Sequence, residues 1–288
     1  MQIVTDRGCD LSDAQLKHLP PIHSVPMHLT LAGKTYSSGE DLSSEEFYRL
    51  LDETGEFPTT SQAGVGDFVD LYRRLAKDDP QIFSIHISSG LSGTLNSARV
   101  AAEMVPEAQV TFWDTMTLTA PEGWQVEAAA RAVKAGWSVE QIFSLLEKLR
   151  AETTGFFTLD TLKYLVHGGR ISHLKGLVAS LLNIRPVISV SKQDGRYYTV
   201  AQERTFRKAV QKLAHTVRDS FPQTNRLRLQ LIHGYNPAGI DLLREALENL
   251  VECFWLPPVR VGAILGAHTG STLVGLSAAP AELYADLP

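Results

Sequence analysis

Cysteine is scarce in this 288-residue chain. Cys9 and Cys253 are the only two, and no Cys-x-x-Cys pair occurs. That argues against a disulfide framework and against a thiolate metal site. Nine histidines are present, but His18, His23 and His28 lie five apart and share no helix face. No metal site is expected. Positive charge is not in excess either: 27 Lys and Arg stand against 32 Asp and Glu, a net charge of -5. Nothing there favours nucleic acid or an anionic membrane surface. No repeat and no low-complexity tract is found. The start, MQIVTDRGCD, lacks a basic segment followed by a long apolar run, so no secretory signal is expected. One stretch, Val261 to Ala281, is free of Asp, Glu, Lys and Arg, and it contains four glycines and His268. It reads as two buried strands and a loop, not as a membrane span. A cytoplasmic protein without stable membrane insertion is the expectation.

Two phosphate-binding signatures are also missing. Gly90-Leu91-Ser92-Gly93 precedes a helical pattern, but no Gly-Lys-Ser/Thr follows, so a P-loop is not supported. No Gly-x-Gly-x-x-Gly follows a strand with a downstream acid, so a dinucleotide fold is not supported. No cofactor is expected.

What is present is a soluble composition, 44% hydrophobic and 20% charged, enough for two domains or one large one. Strand-length apolar runs alternate with helical patterns up to about residue 152. They include strands at 2–6, 82–87 and 108–114 and helices at 11–19, 43–53, 67–77, 95–105, 122–135 and 139–150. A hairpin is expected over 25–37, turning at Ala32-Gly33. This βαβ material implies a mainly parallel sheet in a three-layer α/β arrangement. The remainder mixes a strand at 155–159, short helices at 160–167 and 172–183, and a hairpin around Gln193-Asp194-Gly195. Helix 205–219, strand 227–232, helix 238–250 and strands near 259–265 and 272–277 complete it. The fold expected is α/β in two domains, 1–152 and 153–288, the second with a mixed sheet.

Chemistry concentrates in loops rich in hydroxyls and glycines: Pro58 to Gln62, Ser88 to Thr94, His167 to Ser172, and His268 to Thr272. A fifth, Asp114-Thr115-Met116-Thr117, follows a strand. Loops at the carboxyl ends of parallel strands are where α/β ligands collect. Each also has a plain structural role: Ser and Thr cap helices, and Gly168-Gly169 can end one. Ser92 lies in Gly90-Leu91-Ser92-Gly93-Thr94, close to the Gly-x-Ser-x-Gly elbow of serine hydrolases, with Thr94 where the second glycine belongs. Ser92, Asp114 and His268 follow the α/β-hydrolase chain order, so a hydrolase triad stays open as the alternative. The other reading is an anion site made of neutral donors, with Arg170 and His268 nearby to tune it. It fits a small carboxylate or phosphate.

These segments resemble the DegV family, the fatty-acid-binding carrier subunits of bacterial fatty acid kinase. The resemblance is carried by Pro58-Thr59-Thr60-Ser61-Gln62 with Gly66-Asp67-Phe68, and by Ser88 to Thr94 with Asn96-Ser97-Ala98. Gly168-Gly169-Arg170-Ile171-Ser172, Leu182-Asn183-Ile184-Arg185-Pro186 and His268-Thr269-Gly270 complete it, in that order along nearly the whole chain. The resemblance implies a lipid-binding carrier without turnover of its own. A long-chain fatty acid would lie in an apolar tunnel between the two domains. Thr60, Ser61, Ser92 and the Gly93 N–H would bind its carboxyl group. Arg170 and His268 would border the head group and act when a partner kinase phosphorylates it, in phospholipid metabolism. The chain departs from the usual family pattern at His167, at Ala63-Gly64-Val65, at Thr115 to Leu118 and at Ser271-Thr272.

Overall fold

The computed structural model describes residues 1–174, 184–285 and 287. The helix expected over 172–183 falls almost wholly outside them, as do Leu182 and Asn183. Along the chain, β1 (Gln2–Thr5) leads to the short helix α1 (Asp13–Leu16) and β2 (Ile22–Ser24). Ser12 and Gln15 close a capping box at the start of α1, each side chain accepting from the other's backbone N–H. The hairpin β3 (His28–Leu31) and β4 (Lys34–Ser37) turns at Ala32-Gly33, both at positive φ. Helix α2 (Ser44–Thr54), capped by Ser43, buries Phe47, Tyr48 and Leu51. A three-residue strand, β5 (Thr59–Ser61), then pairs with β3 where the sequence suggests a loop. It is too short for any period-2 pattern to show.

Helix α3 (Val65–Ala76), β6 (Gln81–His86), α4 (Thr94–Glu103), β7 (Gln109–Asp114), α5 (Thr119–Lys134) and α6 (Val139–Glu152) follow. The chain continues through β8 (Thr154–Thr158), α7 (Lys163–His167), a 3₁₀ turn at Arg170–His173, β9 (Arg185–Val190) and β10 (Tyr197–Glu203). It ends with α8 (Phe206–Ser220), β11 (Arg226–His233), α9 (Pro237–Glu248), β12 (Glu252–Arg260), α10 (Ala263–Thr269) and β13 (Val274–Pro280).

The protein is an α/β fold with a parallel sheet N-terminally and a mixed sheet C-terminally. The first sheet, β2-β1-β6-β7, is parallel throughout. Its side chains alternate between faces: Val4 and Ile82 pack toward α3 and α4, while Ile3, Phe83 and Ile85 pack toward α5 and α6. Both faces are covered, as a parallel sheet requires. The second sheet, β10-β9-β8-β13-β11-β12, has one parallel pair, β11 with β12, and is otherwise antiparallel. Helices α8 and α9 cover one face. The other face turns Phe157, Ile188, Ile232 and Val259 toward Ile87, Leu118 and Leu265. Strands β4-β3-β5 make a small antiparallel sheet.

One expectation is corrected. The strand read near 259–265 ends at Arg260, and residues 263–269 are the helix α10. Ala263 to Ala267 and Thr269 are all buried in it, so no polar face marks its period. An apolar run buried on every side reads alike as strand or helix. Helix α10 packs against α2, β3, β5 and α7, and His268 therefore belongs to a helix, not to a strand end. Helix α5 is likewise enclosed, packing on β1, β8 and β13. A buried polar chain ties the two large sheets together. Trp124 Nε1 donates to Gln230 Oε1 at 2.6 Å, Gln230 Nε2 donates to Gln15 Oε1 at 2.9 Å, and Gln15 Nε2 donates to Glu127 Oε2 at 2.8 Å. Each group has a partner, which is what keeps buried polar atoms from costing stability. Among the described residues, no helix is long and apolar enough to cross a membrane.

Candidate functional site

The carboxyl ends of β1 and β6 are joined by one buried carboxylate. Asp6 Oδ1 accepts from Gly8 N at 2.7 Å, and Oδ2 accepts from Ile87 N at 3.0 Å and pairs with His86 Nδ1 at 2.9 Å. His86 Nε2 continues to Ser84 Oγ at 2.7 Å, and Ser84 to Tyr72 Oη at 2.7 Å. This chain fixes the point from which the loop 88–94 departs. Ser88 then hydrogen-bonds Gly195 O at 2.8 Å, bringing the β9–β10 hairpin onto that loop.

Ser92 stands next to the start of α4. Its Oγ pairs with Thr94 Oγ1 at 2.9 Å and accepts from Thr94 N at 3.3 Å. The positive end of a ten-residue helix thus lies beside it. Facing it, β5 presents Thr60, whose Oγ1 pairs with His268 Nε2 at 2.8 Å. Burial, then the neighbouring Arg170, then His167, holds His268 well below an ordinary histidine, at about 4. It is neutral at pH 7. Its ring packs so closely on Gly168 that a Cβ there would sit 2.1 Å from Nδ1. Arg170 donates to Gly168 O at 2.7 Å.

These side chains enclose a cavity of about 300 Å³. Its polar wall is Thr60, Ser61, Gln62, Ser92, Arg170 and His268; its apolar wall includes Met27, Ile87, Leu91, Leu118, Ile264, Leu265 and the ring of Tyr197. No carboxylate lines it among the described residues, and Arg170 is its charged group. The field inside favours an anion. A second, narrower lobe of about 30 Å³ shares Leu118, Tyr197 and Leu265 with the first. It runs between the start of α5 and the mixed sheet, past Pro121, Phe157, Ile232, Val261 and Leu273.

Of the residues read from sequence as head-group contacts, Thr60, Ser61, Ser92, Arg170 and His268 meet on this wall. Gly93 does not. The place its Cβ would take is filled by Gln62, whose Oε1 would lie 2.0 Å from such an atom. Gln62 Nε2 donates to Ser97 Oγ at 2.8 Å, which holds the amide there. Gln62 lies inside the motif Pro58 to Gln62, so its signal was present in the sequence. Ile264 and Leu265 were hidden by the misreading of α10, and Tyr197 by its place in a hairpin.

The hydrolase triad does not assemble. The Ser92 hydroxyl is paired with Thr94, and His268 Nε2 with Thr60. Asp114 accepts from Met116 N at 2.9 Å and from Ser89 N at 3.3 Å, while His268 Nδ1 has no hydrogen-bond partner among the described residues. Base and orienting acid are therefore not in line with the serine, as covalent catalysis requires. The Asp-His-Ser chain that does form is Asp6-His86-Ser84. All three residues are buried, at 1%, 0% and 0% exposure, where no substrate reaches them. Among the described residues, no group of three or more His, Cys, Asp or Glu is arranged to hold a metal ion.

The DegV family, described as "Uncharacterised protein, DegV family", matches residues 1–281. The DegV domain-containing protein SA1258 of Staphylococcus aureus strain N315 is 34% identical over 277 residues, covering 95% of this chain and 96% of its own. Among solved structures, a fatty-acid-binding DegV family protein of Thermus thermophilus superimposes with a TM-score of 0.85 at 29% identity, over 97% of this chain and 99% of its own. A stearic-acid-binding protein of Eubacterium ventriosum gives 0.84 at 26%, over 97% and 98%. Sequence and architecture agree from one end of the molecule to the other, and the chain belongs to the DegV family.

Proposed function

We propose that the protein is a cytoplasmic fatty acid carrier, built from units 1–152 and 153–288 with the ligand held between them. The carboxyl group would occupy the larger lobe against Thr60, Ser61 and Ser92. The acyl tail would run into the narrow apolar lobe past Leu118, Tyr197 and Leu265. The Gly93 N–H would lie close to the carboxyl group, and the missing side chain leaves room for Gln62. The observation that carries this reading is the adjacency of two cavities: one with an acid-free polar wall and a single cation, the other apolar, with Leu118, Tyr197 and Leu265 in the walls of both. The fatty acids bound by the Thermus and Eubacterium proteins support the choice of ligand.

The energetics agree. A sixteen-carbon acid carries about 14 methylenes, and burying each contributes roughly 0.8 kcal/mol, on the order of 11 kcal/mol before the costs of binding. The tail dominates, so a neutral histidine and a few hydroxyls suffice at the head. Arg170 and His268 would then serve a second step, in which a partner fatty acid kinase phosphorylates the presented carboxyl group for phospholipid synthesis. The protein itself would have no turnover.

The test is organic extraction of the purified protein, with mass spectrometry of what comes off. One long-chain fatty acid per chain is expected. With a cognate kinase, Arg170→Ala and His268→Ala proteins should retain the acid but support little acyl phosphate formation. Absence of any acid, with no uptake of added hexadecanoic acid, would overturn the carrier reading. Normal phosphorylation of both variants would overturn the roles of Arg170 and His268.

A further inference from the structure

The two helices that border the lobes both begin without a side-chain cap of their own. Helix α5 starts after Leu118 and α10 after Gly262, and neither residue supplies a capping side chain. Their starts are nonetheless held by one distant group. Asp10, in the loop after β1, accepts from Thr119 Oγ1 through Oδ2 at 2.6 Å and from Gly262 N through Oδ1 at 3.1 Å. The partners lie 109 and 252 residues along the chain. Thr119 is further tied by its N–H to Gly8 O at 2.7 Å, and it holds a left-handed φ of 51° that needs such support. The bond to Gly262 N repeats in trans the return bond of a capping box, in which a side chain accepts from the N-cap N–H.

What these helices carry gives the arrangement its consequence. Leu118, one residue before α5, lines both lobes; α10 carries Ile264, Leu265 and His268. From this geometry we infer that Asp10 is a positioning residue for the fatty-acid cavity, setting the spacing between the Leu118 wall and the α10 wall without touching ligand. This rests on the carrier reading above. Burial pushes the Asp10 carboxyl up to about 7, against the lowering effect of its two hydrogen bonds. Its surroundings include the buried Glu122, Cys9 and Tyr48, whose own groups are pushed up by burial and further by the Asp10 charge. A neutral carboxyl keeps both bonds: one oxygen accepts from Gly262 N while the O–H donates to Thr119 Oγ1. Asparagine offers the same pair of functions, with Oδ1 for Gly262 and Nδ2 for Thr119.

The variants are therefore Asp10→Asn and Asp10→Ala, each tested for hexadecanoic acid affinity by fluorescence displacement well below its melting temperature. Losing two bonds of ordinary strength predicts at least a tenfold weaker affinity for Asp10→Ala, with Asp10→Asn within about threefold of the parent. A merely structural Asp10 would lower the melting temperature and leave the affinity of folded protein unchanged. Equal affinity in folded Asp10→Ala, or an equal defect in Asp10→Asn, overturns the positioning role. Should Asp10→Ala fail to fold, Thr119→Val removes one of the two bonds at constant size. It should weaken binding by about threefold or more, and unchanged affinity there overturns the role as well. If the parent protein itself binds no fatty acid, the carrier reading fails instead.

Discussion

The two neighbouring cavities, here called the larger and smaller lobe, differ tenfold in volume, about 300 Å³ against about 30 Å³, although Leu118, Tyr197 and Leu265 line both. The larger is walled by groups whose positions are set by directional bonds: Thr60 to His268, Gln62 to Ser97, Ser92 to Thr94, Arg170 to Gly168 O. Such bonds hold side chains at fixed angles and keep space open between them. The smaller is walled by Leu118, Phe157, Ile232, Val261 and Leu273, which have no directional demands. Side chains of that kind close on one another to the density of an organic crystal. The larger cavity is thus framed, whereas the smaller is packed, with room for about one water molecule. An acyl chain would enter by parting those side chains, exchanging protein contacts for ligand contacts of the same apolar kind.

The sharpest way to break this contrast is to put charge where the lobes meet. Leu118→Asp should abolish measurable binding of hexadecanoic acid, because a carboxylate would have to be desolvated against an acyl chain, and an unpaired buried charge costs several kcal/mol. Leu118→Met, which conserves volume, should cost under about 1.5 kcal/mol. Calorimetric titration, with near-ultraviolet circular dichroism to confirm folding, separates the two. Retained affinity in a folded Leu118→Asp protein would show that the tail does not pass between the lobes.

The framed lobe should respond less. Thr60→Val and Ser92→Ala each remove one hydroxyl from the head wall. A hydrogen bond to a charged group is worth roughly 1.5–3 kcal/mol, so each should lose about tenfold to a hundredfold in affinity. Their hydroxyls have separate protein partners, His268 and Thr94, but would share the bound carboxyl group, so the losses should not simply add. Unchanged affinity in the double variant would remove both residues from the site.

The framed lobe was also the more legible one in the sequence. Hydroxyls and glycines gather in short loops, and a local cluster is visible without a structure. The loops stand out in this way, the resemblance to the DegV family singles out Thr60, Ser61, Ser92, Arg170 and His268 within them, and these five meet on one wall. Gly93 is not among the residues that line the cavity; what the sequence does not show is that its missing side chain leaves space for Gln62, since an absent side chain leaves no mark of what fills its place. The parallel and mixed sheets were legible from alternating strand and helix patterns and from the hairpin signal at Gln193-Asp194-Gly195. Helix α10 was not, because its residues are buried on every side and carry no periodic polar face. The smaller cavity could not be read for the same reason: Leu118, Leu265 and Leu273 look like any core residue. Asp10 was invisible as a cap because the helix starts it serves lie 109 and 252 residues away.

The smallest effect expected separates the two ends of α10 by their titration. His268, near its last residue, lines the larger cavity; Asp10, at its start, accepts from Gly262 N. Burial lowers His268 from 6.5 to about 4, so the unfolded chain binds more protons between those values. Its contribution to stability is complete above about pH 6.5 and is lost as pH falls through about 4. Asp10 runs the other way, raised from 3.8 to about 7. Its contribution is complete below 3.8 and is lost as pH rises toward about 7, because the folded protein must then bury a charge. Asp10→Asn removes that loss. Its melting temperature, relative to the parent, should climb between pH 4.5 and 7 and level off above, by up to about 10 °C at roughly 2–4 °C per kcal/mol. His268→Gln should show the reverse trend, gaining on the parent only as pH falls below about 6.5. Parallel melting curves across pH 4.5 to 8 for the parent and both variants would mean that neither end of the helix titrates with folding.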